Sequence, residues 1–355
     1  MAKINFIFDS NYKEIKLKTL NKDAIKRLKS LIEDSKRILI TTHHNADGDA
    51  IGSTLAIGLV LKKIGKTVDI ITPNEYPDFL KWMTGTEMIH IFNKEQEECR
   101  KIADQADLIM AIDFNDPDRL KTASWILSLP GKLKVLIDHH PDPAGFADLT
   151  ISEISIGSSA ELIYYILRDM GLTDHIGVDV AEALYSGIMT YTGCFSFSCS
   201  YPEIFEVVAD LLKYGIDKDA IYARIYDNYP EKRLRLMGYC LHEKMVVLPQ
   251  YNTAYIALNR GELERFKHSP GDTEGFVNLP FSIKGIRLTA LFIEKKDHVK
   301  ISFRSRNNFS VNNFASAHFR GGGHLNAAGA EWDLPMEETI NRFVGLLPQY
   351  EDMLT

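Results

Sequence analysis

The residues of this chain best suited to chemistry are histidines and aspartates that follow apolar runs. The strongest motif is His43-x-x-x-Asp47-x-Asp49, which comes after an apolar run at 38–42 and before a helical pattern. Carboxylate oxygens bind hard divalent cations, and borderline ions such as manganese also accept imidazole. Asp47 and Asp49 flank Gly48, so their side chains could reach two neighbouring ions while the glycine permits a tight bend. The alternative is that these aspartates only cap the following helix.

Two more apolar runs end on residues of the same kinds. Asp113 directly follows the run 108–112, and the triplet Asp138-His139-His140 ends the run that begins at residue 135. In open parallel sheets, ligands bind just beyond the carboxyl ends of the strands. Asp113 could bridge two ions. Of the adjacent His139 and His140, one imidazole could bind metal while the other faces the substrate. Asp138 could orient a histidine from behind, as metal-bound histidines usually require.

The first 195 residues alternate between helical and strand patterns, which predicts βαβ crossovers and a mostly parallel, Rossmann-like α/β sheet flanked by helices. Ser158 and Glu161 have the spacing of a capping box, and Gly52 would lie in a first helical turn, where free N–H groups favour a phosphate. Further predicted elements are helices at 21–34 and 50–64, a strand at 67–72 and a helix that opens at Asp116-Pro117.

The pattern changes in the second half of the chain. Residues 201–244 are helical, and four short strand-like runs follow between 245 and 304, with further helices at 311–319 and 336–347. We therefore predict three regions: a metal-binding domain at 1–200, a helical connector at 201–244, and a smaller mixed-sheet α/β domain at 245–355.

The smaller domain carries residues suited to binding a phosphate. Arg304 and Arg306 have planar guanidinium groups that match phosphate geometry. The run Arg320-Gly-Gly-Gly-His324 holds more glycines than a helix C-cap needs, so Gly322 and Gly323 would let backbone approach a ligand closely while His324 donates a hydrogen bond. The alternative is a tight turn with surface charge.

Composition excludes several classes of protein. The 355 residues carry a net charge of −7 and 45% hydrophobic residues, with no apolar run near the roughly 18 residues that span a membrane. Binding long nucleic acid needs clustered basic residues, so any nucleic-acid substrate should be short. The four cysteines show no disulfide or zinc-ribbon spacing, so we expect a reducing cytoplasm.

Together these residues resemble the DHH phosphoesterase superfamily, named for the triplet that stands here as Asp138-His139-His140. The resemblance includes the signature Arg320-Gly-Gly-Gly-His324-x-x-Ala-Ala-Gly329 of the DHH-associated C-terminal domain. The chain is most similar to the short bacterial branch that degrades nanoRNA and dephosphorylates 3′-phosphoadenosine 5′-phosphate (pAp), and Gly271–Pro280 is also similar to that branch. The resemblance implies a hydrolase of small nucleotides or short RNA and suggests a homodimer.

The resemblance also implies two manganese ions, with magnesium or another divalent ion as an alternative. His43 and Asp47 would hold the first ion, Asp49 and His139 the second, and Asp113 both. His140 would contact the phosphate, and Arg304 and His324 the nucleotide.

One position departs from the family pattern. The stretch Thr190-Tyr191-Thr192-Gly193 matches the family's Thr-Asp-Thr-Gly, except that Tyr191 stands where a carboxylate would complete the second metal site. A phenol with a pKa near 10 is a poor ligand at neutral pH, so we expect a weakened second ion. Alternatively, water or a nearby carboxylate fills the gap.

Other functions remain open from the sequence. The same metal chemistry could act on polyphosphate, pyrophosphate or a linear or cyclic dinucleotide. A third hypothesis is a degenerate module that binds nucleotides without hydrolysis because Tyr191 has disabled the second ion.

Overall fold

A computed structural model describes residues 18–354, which form two compact units. Of these residues, the first unit contains those up to Tyr76 together with Leu80–Ile221, and the second contains Pro77–Phe79 and those from Tyr222 to residue 354. The division at residue 221 falls inside the segment predicted as a connector. None of the helices within 18–354 has both the length and the apolar character that crossing a membrane requires.

The first unit is built on a six-stranded sheet in which every neighbouring pair is parallel. Its strand order is β3-β2-β1-β4-β5-β6, so the direction of chain progression reverses between β1 and β4. Ligands bind at such a reversal in open α/β sheets. The strands are β1 (Arg37–Thr41), β2 (Thr67–Thr72), β3 (Ile89–Ile91), β4 (Leu108–Ile112), β5 (Leu133–Asp138) and β6 (Leu149–Ser152).

Six α-helices of the described residues belong to the first unit, and three of them pack on one another. These are α2, α4 and α5, and they approach closely because small residues line their contacts. A Cβ at Gly52 would stand 2.5 Å from the Ala183 carbonyl oxygen, and one at Gly48 would stand 2.2 Å from Thr190 Oγ1. The helices are α1 (Lys22–Asp34), α2 (Gly48–Lys63), α3 (Gln96–Gln105), α4 (Ser159–Asp169), α5 (Val178–Tyr191) and α6 (Pro202–Leu212).

Two expectations about glycines near the metal motif were wrong. Gly48 begins α2 with an ordinary backbone, and its lack of a side chain serves the close approach of α5 rather than a bend. Gly52 is buried within the helix and packs against α5, so it is not available to a phosphate.

The predicted helix starts are partly correct. Asp116 accepts a hydrogen bond from Asp118 N at 2.8 Å and Pro117 follows, but the segment Pro117–Ser128 is a kinked 3₁₀ helix. Ser158 caps α4 by accepting from Glu161 N at 3.1 Å. The capping box is incomplete, because the Glu161 side chain accepts from Gly157 N at 3.2 Å instead of Ser158 N.

The second unit has a six-stranded mixed sheet with the order β11-β12-β10-β9-β8-β7, in which only β8 and β9 pair in parallel. One face of this sheet packs against aromatic side chains of α10 and α11, with Phe314 and Phe343 both buried. The strands are β7 (Met245–Leu248), β8 (Thr253–Leu258), β9 (Leu288–Glu294), β10 (Val299–Ser305), β11 (Arg320–Gly323) and β12 (Ala327–Trp332). The helices are α7 (Lys218–Tyr226), which spans the division, and α8 (Glu231–Tyr239), α9 (Arg260–Arg265), α10 (Val311–His318), α11 (Met336–Leu346) and α12 (Glu351–Leu354).

The predicted α/β class, with one parallel sheet and a second mixed sheet, is confirmed. Strands β7 to β10 lie between residues 245 and 305, where four strand-like runs were predicted, whereas β11 and β12 were not predicted as strands. The sequence did not predict β11 because this strand contains three consecutive glycines, and glycine has a low preference for strands.

Candidate metal centre

The candidate site lies where β1, β4 and β5 end side by side in the parallel sheet. β4 is buried throughout, β1 is buried after its first residue and β5 after its second, and polar residues stand at or just beyond the carboxyl end of each strand. His43, Asp113 and His139 come just after these three ends, and all three are almost completely buried. The structure therefore brings together residues that are up to 96 positions apart in the chain (139 − 43).

The predicted metal ligands form two groups of three side chains, and both groups contain Asp113. The first ligand group is His43, Asp47 and Asp113, and the second ligand group is Asp49, Asp113 and His139. Within each group one donor atom per residue lies within 4.8 Å of the others. His43 Nε2 is 3.5 Å from Asp113 Oδ2, while His139 Nε2 is 3.5 Å from Asp113 Oδ1 and 3.8 Å from Asp49 Oδ2. The two oxygens of Asp113 thus face different groups.

The nitrogen and oxygen donors fit divalent cations. Backbone carbonyls take the other ring nitrogens: His43 Nδ1 is 3.0 Å from His44 O, and His139 Nδ1 is 3.3 Å from Ile156 O. Such contacts leave Nε2 of each ring directed at the carboxylates and hold the ring orientation that metal binding needs. Carboxylate with imidazole is a ligand set that manganese accepts.

Electrostatic coupling within the cluster is strong. Burial by itself raises the pKa of Asp113, but the neighbouring His139 and His43 outweigh it and hold that pKa well below its usual range. Burial lowers the pKa of His139, yet Asp113 and Asp49 together raise it to about 9. The metal-free cluster therefore holds protons on imidazole beside ionised carboxylate, and a cation would take the place of those protons.

Asp113 also has an unusual backbone conformation. Its φ is 68°, in the left-handed region that side chains other than glycine seldom adopt. Such a residue costs on the order of 1–3 kcal/mol, and these residues concentrate at functional sites. The Asp113 backbone is held by a hydrogen bond from its N–H to Ile137 O at 3.1 Å.

The N-terminus of α4 supports the cluster, and sequence reasoning did not identify it. Ser159 N donates to Asp49 Oδ2 and Ala160 N donates to Asp49 Oδ1, both at 2.8 Å. The Ser159 hydroxyl donates to Asp113 Oδ1 at 2.8 Å. The available signal was the capping pattern at Ser158, because the first N–H groups of a helix attract carboxylates.

Asp138 interacts with His140, and this settles which histidine it orients. His140 Nδ1 is 2.7 Å from Asp138 Oδ1, and both residues are buried. The other oxygen of Asp138 is buried and accepts no hydrogen bond from residues 18–354. The His140 ring stands edge-on to His139, with ring centroids 4.8 Å apart. Asp138 therefore holds the ring of His140 through Nδ1.

Tyr191 lies beside the second ligand group. It is the last residue of α5, and its ring packs edge-on against His139 with centroids 5.0 Å apart and planes at 73°. The position that departs from the family pattern is therefore in contact with a predicted ligand.

The predicted substrate-binding residues of the second unit lie on β10, on β11 and just after them. Arg304 Nη1 donates to Phe303 O at 2.9 Å, and the guanidinium of Arg306 stacks over Phe281 at 4.6 Å. Gly322 and Gly323 belong to β11, and His324 N donates to Ala327 O at 2.7 Å.

The glycine run has a structural reason that the sequence did not reveal. A Cβ at Gly321 would stand 2.3 Å from Gly329 O, and one at Gly323 would stand 2.4 Å from Ala327 O. The close approach at these two positions is to β12 of the same chain. Arg320 pairs with both oxygens of Asp333 at 2.6 Å.

Comparisons with known proteins agree with this architecture. Residues 37–188 match the N-terminal domain of the DHH family, and residues 251–350 match the DHHA1 domain. A protein of Thermus thermophilus named bifunctional oligoribonuclease and PAP phosphatase NrnA is 30% identical over 82% of this chain and 83% of its own length. A Streptococcus mutans protein whose name is "Probable bifunctional oligoribonuclease and PAP phosphatase NrnA" is 28% identical over 86% of this chain and 93% of its own length.

A solved structure is also similar along the whole chain. The crystal structure of an exopolyphosphatase-related protein from Bacteroides fragilis superposes with a TM-score of 0.90 and 40% sequence identity. The match covers 96% of this chain and 99% of that protein.

Proposed function

The chain belongs to the DHH family, and from this we propose that it is a divalent-metal-dependent phosphoester hydrolase of short oligoribonucleotides and pAp. The observation that carries the proposal is the pair of ligand groups sharing Asp113 at the reversal point of the parallel sheet. Enzymes of this family depend on divalent metal ions, and we propose manganese as the native ion because the groups mix imidazole with carboxylate.

We assign the first ion to His43, Asp47 and Asp113, and the second to Asp49, Asp113 and His139. When bound, the ions supply Lewis-acid chemistry: they polarise phosphoryl oxygens and make water more acidic. The residues of α4 keep Asp49 and Asp113 in place through the hydrogen bonds from Ser159 and Ala160.

His140 is assigned to the substrate phosphate. Because Asp138 holds the ring through Nδ1, the Nε2 edge is the part of His140 that we assign to a phosphoryl oxygen. Arg304, Arg306 and His324 of the second unit are assigned to nucleotide recognition, since guanidinium groups match phosphate oxygens.

Substrate size follows from charge. The net charge of −7 opposes long polyanions, so we propose that local side chains select a small nucleotide or a short RNA. The four cysteines are all free, in keeping with the reducing cytoplasm that we propose as the site of action.

A second candidate substrate is polyphosphate. It is favoured by the 40% identity with a protein that is called exopolyphosphatase-related. The two candidates differ in what the second unit must recognise, because only a nucleotide has a base and a sugar.

The proposal is tested with the full-length protein loaded with manganese. We expect phosphate release from pAp and mononucleotides from RNA dinucleotides, with polyphosphate, pyrophosphate and cyclic dinucleotides measured in parallel. Asp113→Asn should abolish turnover because both groups use that carboxylate. Asp116→Asn is the matched control: it changes a nearby capping aspartate outside both groups and should retain full activity.

If the manganese-loaded protein hydrolysed none of these substrates, the proposal that it is a hydrolase would be rejected. Nucleotide binding without turnover would instead identify a binding protein. Faster cleavage of polyphosphate than of any nucleotide would replace the proposed substrate class and leave the assignment of the ligands intact.

A further inference from the structure

We propose that the two ligand groups bind divalent cations with unequal affinity, and that Tyr191 is the residue that keeps the second group weak. This inference rests on the proposed function only in taking these side chains as cation ligands. It concerns how many ions the resting protein holds, which the hydrolysis of pAp does not by itself reveal.

The first ligand group has oxygens free for a cation. Asp47 caps α2, but both capping hydrogen bonds, from Asp49 N at 3.0 Å and Ala50 N at 3.1 Å, fall on the same oxygen, Oδ1. Within residues 18–354, its Oδ2 accepts no hydrogen bond, and the side chain is exposed. Asp113 turns Oδ2 toward this group, and the Ser159 hydroxyl does not contact that oxygen.

The second ligand group has its oxygens already engaged by α4. Both oxygens of Asp49 accept a backbone N–H at 2.8 Å. The oxygen of Asp113 that faces this group, Oδ1, accepts the Ser159 hydroxyl at 2.8 Å. These hydrogen bonds hold the two carboxylates in place, and they also leave each of these oxygens with fewer unshared lone pairs for a cation than Asp47 Oδ2 has.

Tyr191 adds a neutral side chain where the second group needs charge. Its ring packs against His139, and in the part of the chain that the structure describes Asp113 is the one further carboxylate that joins Asp49 and His139 within 4.8 Å. Two divalent ions carry four positive charges, whereas Asp47, Asp49 and Asp113 supply three negative charges. A fourth carboxylate at position 191 would balance them, and the side chain of Tyr191 contains none.

The experiment measures metal stoichiometry rather than turnover. Metal-stripped full-length protein is titrated with manganese by calorimetry, and free manganese is followed by electron paramagnetic resonance. We expect one tight ion in the natural protein and a second that binds at least about 10-fold more weakly. Tyr191→Asp should tighten the second site by about 10–100-fold, whereas Tyr191→Phe, the matched control, should leave both sites unchanged.

A second pair of variants assigns the sites and does not depend on the folding of Tyr191→Asp. Asp47→Asn should weaken the tight site, and Asp49→Asn should remove the weak site and leave the tight one. Two equally tight ions in the natural protein would overturn the inference, as would loss of the tight ion in Asp49→Asn or unchanged binding in a folded Tyr191→Asp.

Hydrolysis of pAp by the same preparations separates this inference from the proposed function. Unequal sites without hydrolysis overturn the proposed function alone. Hydrolysis by a protein with two equal sites overturns the inference alone.

Discussion

The substitution Ser159→Ala tests whether the hydrogen bond from α4 to Asp113 supports metal binding. The substitution removes the hydroxyl that donates to Asp113 Oδ1 at 2.8 Å and keeps the backbone N–H that donates to Asp49 Oδ2. Ser159 is fully buried, so water does not replace the lost donor. A hydrogen bond to a charged acceptor contributes about 1.5–3 kcal/mol, and loss of a residue that supports a metal ligand typically weakens metal affinity by about 10–100-fold.

The assay has two parts. Urea denaturation in the presence of a chelator should show a free energy of unfolding lower by about 1.5–3 kcal/mol, and calorimetry should show weaker manganese binding. Ser158→Ala is the matched control, because it removes the N-cap of the same helix at a cost of about 1 kcal/mol without touching Asp113. Equal losses of manganese affinity in the two variants would refute the reasoning, since the Asp113 contact would then contribute nothing of its own.

Two further predictions concern packing and pH. Gly187→Ala would place a methyl group 2.5 Å from the Cβ of Ala160 and 3.2 Å from Asp49 Oδ1, so urea denaturation should show a loss of about 1–3 kcal/mol. Gly238→Ala is its helical control, because an added Cβ there meets nothing within 4 Å, and an equal loss would contradict the argument. Because Asp113 and Asp49 raise the pKa of His139 to about 9, manganese must displace a proton, and its affinity measured by calorimetry should rise by about tenfold per pH unit up to about pH 9. The same proton on His139 stabilises the metal-free folded protein, and this stabilisation is complete below pH 6.5, the pKa of the unfolded chain's histidine. The melting temperature of the metal-free protein should therefore fall as pH rises from 6.5 to about 9. If neither the manganese affinity nor the melting temperature changed with pH, a protonated His139 would be excluded.

The location of the site was predictable because it depends on local patterns. Apolar runs of strand length mark β1, β4 and β5, and a histidine or an aspartate stands at the end of each strand or within two residues of it. Since carboxyl ends of parallel strands share one edge, residues after those ends must lie near one another. The metal ligands could therefore be named from sequence, although their roles stay predictions.

The supporting contacts were not predictable, because they join segments far apart in the chain. Ser159 meets Asp113 across 46 positions, and Ala160 meets Asp49 across 111. Nothing local distinguishes Ser159 from an ordinary residue of a first helical turn. The same holds for Gly187, whose lack of a side chain matters only because Ala160 and Asp49 approach it.

By itself, the amino-acid sequence determined the strand ends, the ligand types and the departure at Tyr191, because strand length and side-chain chemistry are local properties. Only the tertiary structure decided how those ligands are shared. It placed α4 so that its first N–H groups engage both oxygens of Asp49, and it turned the two oxygens of Asp113 toward different groups. This sharing of carboxylate oxygens depends on the close packing of α2, α4 and α5. Helix packing is set by long-range contacts, which no local sequence pattern encodes.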